Sequence, residues 1–69
     1  MIRSGPLPFR AWINQPSTLQ PYHSLHGKRV IALHEYDDTY IVYFLSGDTE
    51  SQQIARLALS LGWPSNTNA

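Results

Sequence analysis

The 69-residue chain contains no cysteine, which excludes a disulfide framework and a thiolate metal site and suits a reducing cytoplasm. Charge is scarce as well. Charged side chains make up 14% of the residues, against about 25% in an ordinary soluble domain, so the surface is expected to be largely uncharged. The formal net charge is zero, which removes the attraction that supplies most non-specific nucleic-acid affinity. The longest apolar run, Tyr40 to Leu45, has six residues, far short of the roughly 20 needed to cross a bilayer. The opening MIRSGPLP lacks the apolar core of a secretory signal. These absences read as a soluble, cytoplasmic protein with no membrane partner.

Size is the next constraint. Residues 1–69 are expected to form a single small domain, with an irregular start over 1–8 and a disordered tail over 65–69. A domain this small buries only about 60% of the surface its unfolded chain exposes. With no disulfide available, self-association is the remaining source of stability, and a homo-oligomer, a dimer first, is expected.

What charge exists is segregated. Arg3, Arg10, Lys28 and Arg29 are the only charges before position 35, whereas Glu35, Asp37, Asp38, Asp48 and Glu50 follow within sixteen residues. Solvated surface charges are the first expectation, with pairing inside the fold or between protomers as the alternative.

Alternation over Phe9 to Ile13 puts Phe9, Ala11 and Ile13 on one side and Arg10 and Trp12 on the other, which predicts a first strand. Pro16 disfavours helix at Gln15 and ends it. Residues 12–27, WINQPSTLQPYHSLHG, then run for sixteen positions without a charge. Ser17 and Gln20 have capping-box spacing, but Pro21 limits any helix there to one turn. A second turn follows, in which Tyr22, Leu25 and His26 share a face and Gly27 closes in the left-handed conformation. Lys28 to Glu35 and Tyr40 to Leu45 are expected to form a hairpin around the turn chemistry of Tyr36-Asp37-Asp38-Thr39. Both faces of that hairpin are apolar, so something must cover the second.

After a turn at Ser46-Gly47-Asp48 two readings stay open. Ile54, Leu57, Ala58 and Leu61 fall at helical spacing, Thr49 and Gln52 form a second candidate capping box, and Gly62 and Pro64 are stop signals, which predicts a helix over about 50–61. Alternatively Thr49 to Ile54 returns as a strand and only Ala55 to Leu61 is helical. The second is preferred, because a lone hairpin makes a poor sheet. Trp63 is expected to fold back onto it.

Candidate chemistry is sparse. His23 and His26, with His34, Glu35 and Asp37 further on, make a chemically sensible zinc set, but the first pair sits in a Pro-flanked loop. No metal site is expected, and His26 and His34 are assigned to packing and hydrogen bonding. No nucleophile motif or Gly-rich phosphate loop occurs, so neither catalysis nor a cofactor is expected. The aromatic residues offer a base-stacking platform, for which Arg10, Lys28 and Arg29, with Trp12 beside them, are the candidate nucleic-acid contacts. Most of these rings are expected in the core, and a nucleic-acid partner is not the leading expectation.

Two local patterns resemble known families. Gly27-Lys28-Arg29-Val30 through Tyr40 to Leu45, followed by Gly47 and a short helical turn, looks like the small five-stranded barrels of the Src-homology or Tudor type. Gln52-Gln53-Ile54 and the turn to Leu59 are similar to the closing strand of plasmid-borne, trimethoprim-insensitive dihydrofolate reductase, whose Val-Gln-Ile-Tyr run lines a pore built by four protomers. Gln53 and Ile54 match that run, whereas Gln52 and Ala55 depart from it. The whole pattern, FRAWINQPSTLQPYHSLHG with a hairpin and LALSLGWP, resembles short proteins of bacterial mobile elements, phages or gene cassettes, which implies an accessory role in binding a host or element protein.

The expected fold is therefore α+β: a small antiparallel sheet of three to four strands, or a small Src-homology-like barrel, with a short C-terminal helix. The expected function is a non-enzymatic protein-interaction module. Its partner-binding surface is the uncharged loop, through Trp12, Asn14, Gln15, Leu19, Gln20, Tyr22 and His23, because long loops in compact domains are usually functional and uncharged surface costs little to desolvate. A nucleic-acid-binding barrel and a symmetric-pore enzyme are the alternatives.

Overall fold

The computed structural model describes residues 6–45 and 51–63. Five strands form: β1 (Phe9–Ile13), β2 (Arg29–Tyr36), β3 (Thr39–Phe44), β4 (Ser51–Ala55) and β5 (Leu59–Leu61). Two single 3-10 turns interrupt them, His23–Leu25 in the long loop and Arg56–Ala58 between β4 and β5. All pairings are antiparallel, in the order β4-β3-β2-β1-β5.

The sheet cannot be flat. Four spacings of about 4.8 Å would separate its two edge strands by about 19 Å, yet the four residue steps from Ala55 to Leu59 span at most about 14 Å. The sheet curls until β4 and β5 can be joined by one turn. That turn is pinned from both sides, because Arg56 N–H donates to Asp38 O at 2.7 Å and Asn14 N–H donates to Ala58 O at 2.7 Å.

Curling gives the sheet a concave inner face, and the alternating residues fill it. Ala11, Ile13, Val30, Ala32, Tyr40, Val42, Phe44, Ile54, Ala58 and Leu59 form one buried cluster, with Phe9, Tyr22 and Leu25 packed against it. Between Ala32 and His34 the pairing with β3 shifts by one residue, so Leu33 is an extra, bulged position on β2. The two-residue turn Asp37-Asp38 closes the hairpin with Asp37 at a φ of 55°, which a short polar side chain tolerates.

One core position carries an unusual load. Tyr40 is fully buried and its hydroxyl has no hydrogen-bond partner among the described residues, while its ring meets Phe9 edge-on at 5.3 Å. A buried hydroxyl without a partner costs free energy that a phenyl ring avoids. Tyr40→Phe is expected to leave stability unchanged or to raise it by about 1 kcal/mol in urea denaturation. A clear loss of stability would show that the hydroxyl is bonded.

The expectation of an α+β fold with a C-terminal helix, in either its open-sheet or its barrel form, is corrected. Apart from the two 3-10 turns the described chain is β-structure, in five strands rather than three or four. The residues read as a helix over 55–61 form a 3-10 turn and β5. Competition explains this. A seven-residue helix is too short to be stable alone, whereas β5 satisfies the backbone groups of β1 that β2 leaves unpaired. Leu57 and Leu61, placed on an apolar helix face by the spacing rule, are 74% and 68% exposed. The turn at 46–48, the Thr49 cap, the stop at Pro64 and the tail 65–69 lie outside the described residues, as do residues 1–5 of the irregular start. No helix among the described residues is long and apolar enough to cross a membrane.

Candidate functional site

The side chains not used by the core project from the other face. On β1 these are Arg10 and Trp12, on β2 Arg29 and Ile31, and on β3 Ile41 and Tyr43, in rows set by the pairs Trp12 with Arg29, Arg10 with Ile31 and Ile31 with Tyr43. Leu33, Tyr43 and Leu45 are 47%, 39% and 42% exposed. Part of the hairpin's second apolar face is therefore exposed.

Trp63 lies on this face. Gly62, at a φ of 76° that side-chain-bearing residues rarely adopt, turns the chain out of β5. The indole N–H of Trp63 then donates to Val30 O at 3.1 Å. The Arg10 guanidinium carbon stands 4.6 Å from the centroid of the indole ring and that of Arg29 stands 5.5 Å from it. These are cation–π distances. Both arginines are exposed, and neither has a carboxylate partner among the described residues. The one ion pair among the described residues joins Arg56 to Asp38 at 3.2 Å, at the hairpin end of the sheet.

The loop residues serve the loop itself. Gln15, 7% exposed, is its hub. Its N–H donates to His26 Nδ1 at 2.9 Å and its carbonyl pairs with His23 Nδ1 at 3.0 Å, while its side-chain Oε1 accepts the Tyr22 N–H at 3.3 Å. These bonds require Nδ1 to be bare on His26 and to carry a proton on His23. Gln20 Oε1 accepts the Ser17 N–H at 2.8 Å and Ser17 Oγ accepts the Leu19 N–H at 3.1 Å, so the capping-box chemistry closes a single turn. The Tyr22 hydroxyl accepts the Ala55 N–H at 3.4 Å, covering the edge of β4. Gly27, at a φ of 88°, ends the loop in the left-handed conformation that its position requires.

Of the loop set proposed for partner binding, Gln15, Gln20, Tyr22 and His23 are thus engaged internally. Asn14 Nδ2 donates to Ser60 Oγ at 2.9 Å. Leu19 projects at the loop tip, 92% exposed, and Trp12 stands apart on the outer face, 5.9 Å from the His26 ring. The arginine set behaves differently. Arg10, Arg29 and Trp12 come together, whereas half-buried Lys28 is tied through its backbone to Leu25 and Ile13. Sequence reasoning expected Trp63 on the sheet but missed it as the centre of this cluster. The available signal was Gly62 immediately before an aromatic residue.

Other chemistry finds less. His34 is exposed opposite Ile41, away from the loop histidines, and no group of three or more His, Asp or Glu among the described residues is placed to hold a metal ion. Gln53, the residue matching the pore motif, is exposed and donates to Thr39 Oγ1 at 2.8 Å. Comparison with protein-family models, with curated proteins and with solved structures finds no match for this chain.

Proposed function

We propose that this chain is a small non-enzymatic protein-interaction module, an accessory protein that binds a host or mobile-element protein, and that it docks its partner on the outer face of the sheet rather than on the 14–27 loop. One observation carries the reading: an indole pinned to the sheet with two exposed arginines beside it that have no carboxylate partner among the described residues, on the same face as Trp12, Ile31 and Tyr43. Tryptophan, tyrosine and arginine are the residues that concentrate binding energy at interfaces, and a ring held in place loses little freedom on binding. The loop meets this face at Trp12, whose ring lies 5.9 Å from that of His26.

A photo-crosslinking amino acid at position 43, in place of Tyr43, is expected to trap a protein partner in the cells of origin. The same group in place of Leu19, at the loop tip, is expected to trap none. Crosslinking from position 19 alone would return the site to the loop, and crosslinking from neither would remove the proposal.

A second reading, a nucleic-acid-binding barrel, draws on the same Arg10, Trp12 and Arg29. The zero net charge and the Arg10 guanidinium already lying on Trp63 count against it.

A further inference from the structure

The cluster around Trp63 specifies what kind of partner segment fits, and this inference rests on the docking face proposed above. Two guanidiniums near one ring are like charges held close together, and the sum of their distances from the centroid, about 10 Å, caps their separation. Their mutual repulsion falls when an anion sits between them. Each guanidinium carries five N–H donors in a planar fork, and neither side chain donates to an acceptor among the described residues. The tryptophan that gathers them is itself anchored by its bond to Val30 O. The donors are therefore collected in advance and left without an acceptor among the described residues.

We infer that Arg10 and Arg29 form a carboxylate-binding clamp on Trp63, and that the face takes an extended acidic peptide segment whose Asp or Glu side chain seats between the two guanidiniums. Arginine matches a carboxylate bidentately, and such charge-assisted bonds are about twice as strong as neutral ones. Apolar neighbours of that acid on the peptide meet Ile31, Tyr43 and Leu45, the half-buried and exposed apolar positions beside the cluster. The three described carboxylates do not fill the clamp, since Asp37 and Asp38 lie at the hairpin turn, where Asp38 is engaged by Arg56, and Glu35 stands opposite the inward-facing Tyr40. A nucleic-acid strand fits less well. It brings a continuous polyanion to a chain with as many carboxylates as cations, and the apolar residues beside the clamp offer its sugar–phosphate backbone no partner.

The test is selection from a random peptide display library on the full-length chain, followed by binding of selected synthetic peptides read through tryptophan fluorescence. The expected peptides carry Asp or Glu flanked by apolar residues and bind R10Q/R29Q roughly tenfold or more weakly, while R10K/R29K, which keeps charge but loses the fork, falls in between. Circular dichroism of both variants checks that the exposed substitutions leave the fold intact. Peptides without acids, or equal binding to R10Q/R29Q, would overturn the clamp. So would tighter binding of an oligothymidylate at physiological salt, or a dimer of the chain alone that R10Q/R29Q converts to monomer. Acid-free peptides alongside crosslinking from position 43 would remove the clamp and keep the docking face. Loss of both would remove the docking face itself.

Discussion

Phe44→Ala is expected to abolish cooperative folding at room temperature or to leave it barely detectable. Phe44 is 1% exposed and lies on the concave face directly across from Val30, in a row that continues through Ala11 to Leu61. The neighbours in that row, Val30 and Ala11, are small and held in place by ladder bonds, so they cannot collapse into the space a ring leaves. Truncating a buried Phe costs about 3–5 kcal/mol in such a site, against a total stability of about 5 kcal/mol for a domain at the low end of the size range. Urea denaturation followed by circular dichroism is the direct measurement. A cooperative transition with a midpoint close to wild type would mean that the core tolerates the void, and that the packing described for this face is wrong.

Gln15→Ala has the next largest expected effect, and its mechanism is different. Gln15 fills little of the core, but its side chain supplies the acceptor for the Tyr22 N–H while its backbone holds both loop histidines. Removing Oε1 leaves a donor without a partner in a partly buried position, which costs about 2 kcal/mol. The damage is expected to travel along the loop. Tyr22 loses its anchor, its hydroxyl leaves the Ala55 N–H, and the β4 edge it covers opens to solvent. Hydrogen exchange gives the discriminating readout, with faster exchange at the Tyr22 and Ala55 amides and little change in β1 and β2. Unchanged protection at both amides would show that the loop is held by its prolines and histidines alone.

Both predictions concern residues whose roles were unequally legible. The alternation of Phe9 to Ile13 and the apolar run Tyr40 to Leu45 placed β1 and β3, and they sorted the side chains into two faces without telling which face of the hairpin is buried, because a strand's side-chain period is local. Gly27 and the Asp37-Asp38 turn were legible for the same reason: their backbone demands are met by the residue itself. Gln15 was read as a partner contact. An uncharged glutamine beside a proline does not reveal that its acceptor will meet an amide seven residues away.

The misreading of Leu59 to Leu61 has the same origin on a larger scale. Ile54, Leu57, Ala58 and Leu61 satisfy a helical period as well as any real helix of that length. What decided the outcome was the unpaired edge of β1, forty-odd positions earlier in the chain. The Leu33 bulge, the 3-10 turn that joins the two sheet edges and the convergence of Arg10, Arg29 and Trp63 belong to this class too. The candidate site was thus visible only as ingredients. Arg10, Trp12 and Arg29 stood out individually, and the tertiary structure brings them onto one face while it uses the loop's polar groups internally.

The sequence by itself determined a small, cysteine-free chain of low charge, a hairpin with two apolar faces, and the turns at Gly27 and Asp37-Asp38, since composition and nearest-neighbour geometry need no knowledge of distant residues. Only the tertiary structure decided that the C-terminal segment is a strand, which apolar face is buried, and that Trp63 lies beside two arginines on the other. Those outcomes depend on long-range pairing, in which a segment takes the conformation that satisfies its partner's backbone rather than its own propensity.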